Sequence, residues 1–134
     1  MEDGTPVHAY RFGDGDGLSA EVLDLGGILA TLEFPGAQGR TPLVLGLADA
    51  RAYQRDPAYL GILVGRHANR IAGASFVLDG QVRHVAANEG RNHLHGGMLG
   101  FGRRRWDVQD HGPHSIALRY RSPDGEEGYP GNLD

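Results

Sequence analysis

The sequence predicts an all-β protein, and three observations carry that prediction. Short apolar runs alternate at period two, as in half-buried strands. Twenty-two glycines in 134 residues are about twice the usual share of roughly 7%, and they are scattered, as tight turns between short strands require. Two-residue turn signals, Gly26-Gly27 and Asp79-Gly80, each stand between such runs.

Taken in order, Val7–Phe12 is the first candidate strand. Leu18–Leu25 is the second, with Leu18, Ala20 and Val22 alternating. Ile28–Phe34 sends Ile28, Ala30, Leu32 and Phe34 to one side and Thr31 and Glu33 to the other. Gly26-Gly27 joins these two as a hairpin, and Pro35-Gly36 is expected to end the later one. Leu43–Leu47 is a further short run. Asp49 reads as an N-cap to one or two helical turns over Asp49–Arg55, stopped before Pro57. Strands resume at Gly61–Val64. Ser75–Asp79 and Gln81–Val85 flank Asp79-Gly80, and Trp106–Gln109 and Ser115–Arg121 follow, separated by Asp110-His111-Gly112-Pro113. No internal repeat or linker interrupts the series, so a sandwich or barrel is expected. The last thirteen residues, SPDGEEGYPGNLD, are turn chemistry twice over. A sheet closing there would leave unpaired edges, so the chain is expected to be the front part of something longer.

The 40% apolar and 22% charged fractions are those of a globular chain. A net charge of −4 disfavours nucleic acid, where phosphate neutralisation supplies most non-specific affinity. Without cysteine, disulfides and thiolate metal sites are excluded. Neither a signal-peptide pattern nor a run of about 18 apolar residues is visible. The expectation is a soluble, cytoplasmic protein with no membrane partner.

Residues 92–106, NHLHGGMLGFGRRRW, concentrate the chemistry. On a strand, His93 and His95 would face the same way, and paired imidazoles suit zinc, iron or copper. A cupin-like site would add a carboxylate close by, and none occurs before Asp107. His111 and His114 sit in a separate turn, so a buried, hydrogen-bonded histidine beside an exposed one is the favoured reading. Asp14-Gly15-Asp16-Gly17 begins like a calcium loop, but Leu18 and Leu25 fill positions that need oxygen ligands. Gly96, Gly97, Gly100 and Gly102 fit no phosphate-loop spacing, and Arg103-Arg104-Arg105 reads as a solvated basic face. Ser75 and Ser115 lie in no nucleophile elbow. GRHANRI, residues 65–71, crowds two arginines, a histidine and an asparagine. Such long donors suit sugar hydroxyls, although a solvated arginine pair is the plainer reading of that stretch alone.

Read together, these segments resemble one family. GRHANRI, the Ser75-Phe76-x-Leu78-Asp79-Gly80 hairpin, Asn88, Leu94-His95-Gly96-Gly97, Gly100-Phe101 with Trp106, and Asp124-Gly125-x-x-Gly128-Tyr129-Pro130-Gly131 occur in the order and spacing of the aldose 1-epimerases, or galactose mutarotases. The Ile28–Leu32 strand, Pro35, Leu45-Gly46 and Tyr53 fit the family's opening. The resemblance implies that residues 1–134 are the N-terminal part of a single large antiparallel β-sandwich domain (a supersandwich), truncated here. It implies interconversion of α and β anomers of free aldoses such as galactose or glucose, without metal or cofactor. A carboxylate base deprotonates the anomeric hydroxyl, an acidic histidine protonates the ring oxygen, and the ring opens, rotates and closes.

Carried over by position, Asn69, Arg70 and His95 are the expected substrate-binding residues, with a small aldose as the partner. His93, His67 and Gly102 depart from the pattern. The acid histidine and base glutamate come later in the family than the Tyr129-Pro130-Gly131 loop, so no catalytic residue is assigned within the chain. Glu89 and His84 lie outside the matching motifs. The expectation is a mutarotase fragment that is inactive alone. The rivals are a non-catalytic carbohydrate-binding or degenerate relative, and a metal enzyme built on His93 and His95.

Overall fold

The computed structural model describes residues 4–134. In chain order the elements are β1 (Ala9–Gly13), β2 (Ser19–Leu23), β3 (Leu29–Gly36), β4 (Gly39–Pro42) and a single helix, α1 (Ala50–Arg55). There follow β5 (Arg70–Ile71), β6 (Ser75–Leu78), β7 (Gln81–His84), β8 (His93–Leu94), β9 (Asp107–His111) and β10 (Ile116–Arg119). All strand pairs are antiparallel. The described chain is therefore all-β apart from α1 and a few single 3₁₀ turns. Among the described residues no helix is long and apolar enough to cross a membrane. The chain divides into two compact units.

One unit runs up to Leu63 and takes in Arg105–Arg119. It holds the meander β1-β2-β3-β4 and the pair β9-β10. Gly26 (φ 64°) and Gly27 (φ 56°) both take the left-handed backbone, as a two-residue hairpin loop of the type I′ kind requires. The Ile28 amide closes the turn on the Leu25 carbonyl at 3.2 Å. Immediately around this turn lies the core: Leu23, Leu25, Ile28 and Ala30, with Tyr53 of α1 packed among them. Leu25 and Ile28 are fully buried, and each such side chain contributes roughly 1.5–3 kcal/mol relative to exposure. The expected inward face of Ile28–Phe34 fades along the run, from Ile28 at 0% exposed to Phe34 at 51%, which lies past the Ser19–Glu33 pair where β2 begins. Asp49 caps α1 as expected, its carboxylate accepting from the Ala52 amide at 2.8 Å.

Three expectations need correction here. Pro35-Gly36 does not stop β3 at Phe34. The strand runs on through both residues and turns into β4 with Gly36 opposite Gly39. The pair flanking a two-residue loop is the hydrogen-bonded kind, so Pro35, opposite Arg40, falls on a non-bonded position toward β4. On its other side the pairing with β2 has already ended, and the missing N–H leaves no partner unpaired. Leu43–Leu47 is not a strand: Leu45 is 77% exposed, and the Leu47 amide donates to the Tyr53 hydroxyl at 3.0 Å instead of to a ladder. Gly61–Val64 is likewise irregular. It meets the β2–β3 hairpin through Leu29 N–H to Gly61 O, 2.9 Å, and Leu63 N–H to Gly26 O, 3.0 Å.

The other unit comprises Val64–Arg104 and Tyr120–Asp134. Its hairpin β6-β7 turns at Asp79 (φ 51°) and Gly80 (φ 73°), as the Asp-Gly signal predicted. Ala74, Val85 and Tyr129 form a small core with Ile71 and Phe76 against it. Arg66 ties the Ser122–Pro130 segment down: Nε donates to Ser122 Oγ at 2.8 Å, Nη2 to the Ser122 and Pro123 carbonyls at 2.9 Å, and Nη1 to the Pro130 carbonyl at 3.1 Å. Its guanidinium also stands 5.8 Å from the Tyr129 ring centroid.

Candidate functional site

The two-residue ladder β5-β8 pairs Arg70 with Leu94 and Ile71 with His93. That register sets Asn69 beside His95, and the two hold each other. The His95 amide donates to the Asn69 carbonyl at 3.1 Å, and the Asn69 amide donates to His95 Nδ1, also at 3.1 Å. Both residues are left-handed, Asn69 at φ 67° and His95 at φ 49°. Asparagine visits this region at low cost, histidine less readily, so the paired bonds hold a conformation the chain would otherwise avoid. They also fix the ring's chemistry. A backbone N–H can only donate, so Nδ1 accepts, and the neutral ring carries its proton on Nε2.

Arg70 extends the cluster. Nε donates to Glu89 Oε2 at 2.6 Å and Nη2 to Oε1 at 2.5 Å, a bidentate pair. Nη1 reaches Asn69 Oδ1 at 3.3 Å. The hydrogen bond from Arg70 holds the Glu89 carboxyl below the ordinary glutamate range, and its counterpart raises Arg70. The structure thus brings Asn69, Arg70 and His95 together on an exposed to half-buried surface.

The loop after His95 is held from two sides. Asn88 grips its start: Oδ1 accepts from the Leu94 amide at 2.7 Å, and Nδ2 donates to the Leu94 and Gly97 carbonyls at 2.9 and 2.8 Å. Glu127 caps its far side, its two carboxylate oxygens each accepting at 2.9 Å from the Met98 and Leu99 amides. The glycines are required by close approach. A Cβ at Gly96 would lie 1.6 Å from the Gly65 carbonyl oxygen, and one at Gly97 would lie 2.2 Å from Glu127 Oε2.

His93 has another role. It is fully buried. Its Nδ1 donates to the Ala86 carbonyl at 2.7 Å, which leaves Nε2 to accept from the Tyr129 hydroxyl at 2.6 Å. β8 ends at Leu94, so His93 and His95 are not the same-face strand pair a metal site would use. Among the described residues no group of three or more His, Asp or Glu side chains is arranged to hold a metal ion. Of the donors in GRHANRI, Arg66 is spent on the Ser122–Pro130 segment, while Asn69 and Arg70 remain at the surface. An open groove of about 500 Å³ lies beside Arg66 and His67, walled by Ile71, Phe76 and Tyr129. Asn69, Arg70 and His95 do not line it, its other walls are largely apolar, and the guanidinium of Arg66 is turned to the Ser122–Pro130 segment. The polar cluster is therefore the candidate site.

Glu89 and Glu127 are the residues that motif reading passed over. Glu89 is 19 positions from Arg70 and Glu127 is 29 from Met98, so no local spacing announces either. Only the extra acidic residue beside Asn88 was there to be noticed.

The family model described as aldose 1-epimerase matches residues 8–134. The aldose 1-epimerase of Escherichia coli (strain K12) is 34% identical over 132 residues, covering 98% of this chain and 38% of that protein. The galactose mutarotase of Sus scrofa is 43% identical over 121 residues, covering 88% of this chain and 34% of that one. The chain thus spans little more than a third of the length of these relatives. Among solved structures, a GalM/aldose epimerase homologue from C. elegans superposes with a TM-score of 0.88 at 35% identity, over 95% of this chain and 39% of that one. Galactose 1-epimerase from Lactobacillus acidophilus NCFM superposes with a TM-score of 0.81 at 26% identity, over 98% and 39%. With this match in sequence and in backbone, the chain belongs to the aldose 1-epimerase family.

Proposed function

We propose that residues 1–134 supply part of the sugar-binding surface of an aldose 1-epimerase, as the N-terminal part of a single mutarotase-like β-sandwich domain. The whole protein would interconvert the α and β anomers of a free aldose such as galactose or glucose, in the cytoplasm, by acid–base ring opening that needs neither metal nor cofactor. In this reading Asn69, Arg70 and His95 bind sugar hydroxyls. The acid histidine and base glutamate belong to the part of the family pattern that follows the Tyr129-Pro130-Gly131 loop.

The observation that carries the reading is the reciprocal Asn69–His95 pair. It places an imidazole whose Nε2 carries the proton beside an asparagine amide and a guanidinium. Hydroxyls both donate and accept, and this set offers both functions at once.

A second observation favours binding without turnover by this chain alone. In the unit that holds the site, all three glutamates are committed. Glu89 pairs with Arg70, and Glu127 caps two amides. Glu126 takes Tyr120, Ser122 and Arg104. None is placed as a loose base. Titrating the chain with galactose by NMR while following mutarotation by polarimetry tests both statements. Binding without acceleration is expected. Acceleration would refute the inactive-alone reading, and no shift of any site resonance would refute the binding surface.

A further inference from the structure

Arg70 is one of three residues on which the sugar reading rests, and its guanidinium is not loose. Three of its five N–H groups are spent, two on Glu89 and one on Asn69 Oδ1. One N–H on Nη1 and one on Nη2 remain. A bidentate pair fixes a plane as well as a distance. Both partners are anchored in the backbone: Arg70 lies on the β5-β8 ladder, and Glu89 exchanges two backbone bonds with Asn92, at 3.1 and 3.0 Å. Glu89 also directly follows Asn88, the residue that grips the Leu94–Gly97 turn. The acidic partner therefore sits on the same short segment that holds His95 in place.

We propose that Glu89 is a positioning residue for sugar recognition. Its carboxylate holds the Arg70 guanidinium in one plane beside Asn69, so that the two remaining N–H groups are presented together to neighbouring sugar hydroxyls. The proposal rests on reading Asn69, Arg70 and His95 as sugar contacts. Side-chain exposure of 55% for Arg70 and 35% for Glu89 means that the pair contributes little to stability. What it removes is the freedom of a long side chain that would otherwise be ordered only when the sugar binds.

The test uses the ¹⁵N-labelled chain, with galactose as the probe, in four forms: unaltered, Glu89→Gln, Glu89→Ala and Asn69→Ala. The unaltered chain is expected to show a slowly exchanging Arg70 Nε–H signal and to bind galactose. Both Glu89 variants should keep the backbone spectrum, lose that Arg70 signal, and bind galactose about two- to tenfold more weakly, the cost of immobilising one long side chain. Unchanged affinity in both Glu89 variants, with affinity lost in Asn69→Ala, would overturn the positioning role and leave the sugar site standing. An unaltered chain that binds no galactose would overturn both.

Discussion

The Tyr129 hydroxyl donates to His93 Nε2 at 2.6 Å in a site where His93 is wholly buried. The bond completes the histidine, whose other nitrogen is spent on the Ala86 carbonyl, and it joins the Tyr-Pro-Gly loop to β8. Tyr129→Phe keeps the ring and removes the donor. It should destabilise the fold by about 1–3 kcal/mol, the cost of leaving a buried acceptor unsatisfied. Urea unfolding should show a lower midpoint at unchanged slope, while Tyr10→Phe, at a half-buried position of the other unit, should barely move it.

Burial also pushes the Tyr129 phenol up to about 12, and burial followed by the bond to Glu126 does the same for Tyr120. A group whose folded value is raised stabilises the fold fully below its unfolded value, near 10 for tyrosine. That contribution is lost as pH rises through the folded value. Stability should therefore fall between about pH 10 and about 12. Phenolate absorbance should show Tyr120 and Tyr129 ionising late. Late ionisation should drop by one in Tyr129→Phe, and an unchanged curve would contradict the assignment.

What could be read from the sequence, and what could not, divides along the range of the interaction. Gly26-Gly27 and Asp79-Gly80 are local devices, and each forms the positive-φ turn its residues dictate. The Asp49 cap is local too. β4 went unseen because Gly39-Arg40-Thr41-Pro42 is exposed throughout and carries no apolar alternation. The β5-β8 ladder, two residues a side, is too short to have a period. Leu43–Leu47 and Gly61–Val64 are apolar without being strands, since hydrophobicity records burial tendency and not ladder pairing. At the site, Asn69, Arg70 and His95 were singled out through the order of several motifs, and the structure brings them together. Arg66, their neighbour in the same motif, proved to be a structural clamp, which composition could not distinguish from a ligand contact.

The glycines after His95 make a sharp contrast. Gly96→Ala would drive a Cβ to 1.6 Å from the Gly65 carbonyl oxygen, where backbone meets backbone and neither can swing away. Gly97→Ala would meet the Glu127 carboxylate at 2.2 Å, a side chain that can move at the cost of its bonds to Met98 and Leu99. Gly96→Ala should be the more damaging, losing the His95 environment outright. Gly97→Ala should fold, with the Met98 and Leu99 amides exchanging faster in hydrogen-exchange measurements.

Asn88→Asp probes the same loop through its other support. The change keeps the oxygen that accepts from the Leu94 amide and removes both N–H donors. The Leu94 and Gly97 carbonyls would then face a carboxylate oxygen, so repulsion adds to the lost bonds. The expected cost is about 1–3 kcal/mol, with galactose affinity falling because His95 is no longer held against Asn69. Thermal unfolding and the galactose titration together check it. A loss of stability with affinity intact would separate the loop from the site.

Acid should release the site before it unfolds the chain. Glu89 is held below the ordinary glutamate range by its hydrogen bond from Arg70. A depressed carboxyl contributes fully above its unfolded value, near 4.3 for glutamate, and the contribution vanishes as pH falls through the lower folded value. The pair is exposed and weakly coupled to the core, so its loss should scarcely move the melting temperature. The Arg70 Nε–H signal should nonetheless disappear over that interval, and in Glu89→Gln it should be absent at every pH. A signal that persisted unchanged to lower pH than the carboxyl titration of Glu89 would show that Arg70 is held by something other than this carboxylate.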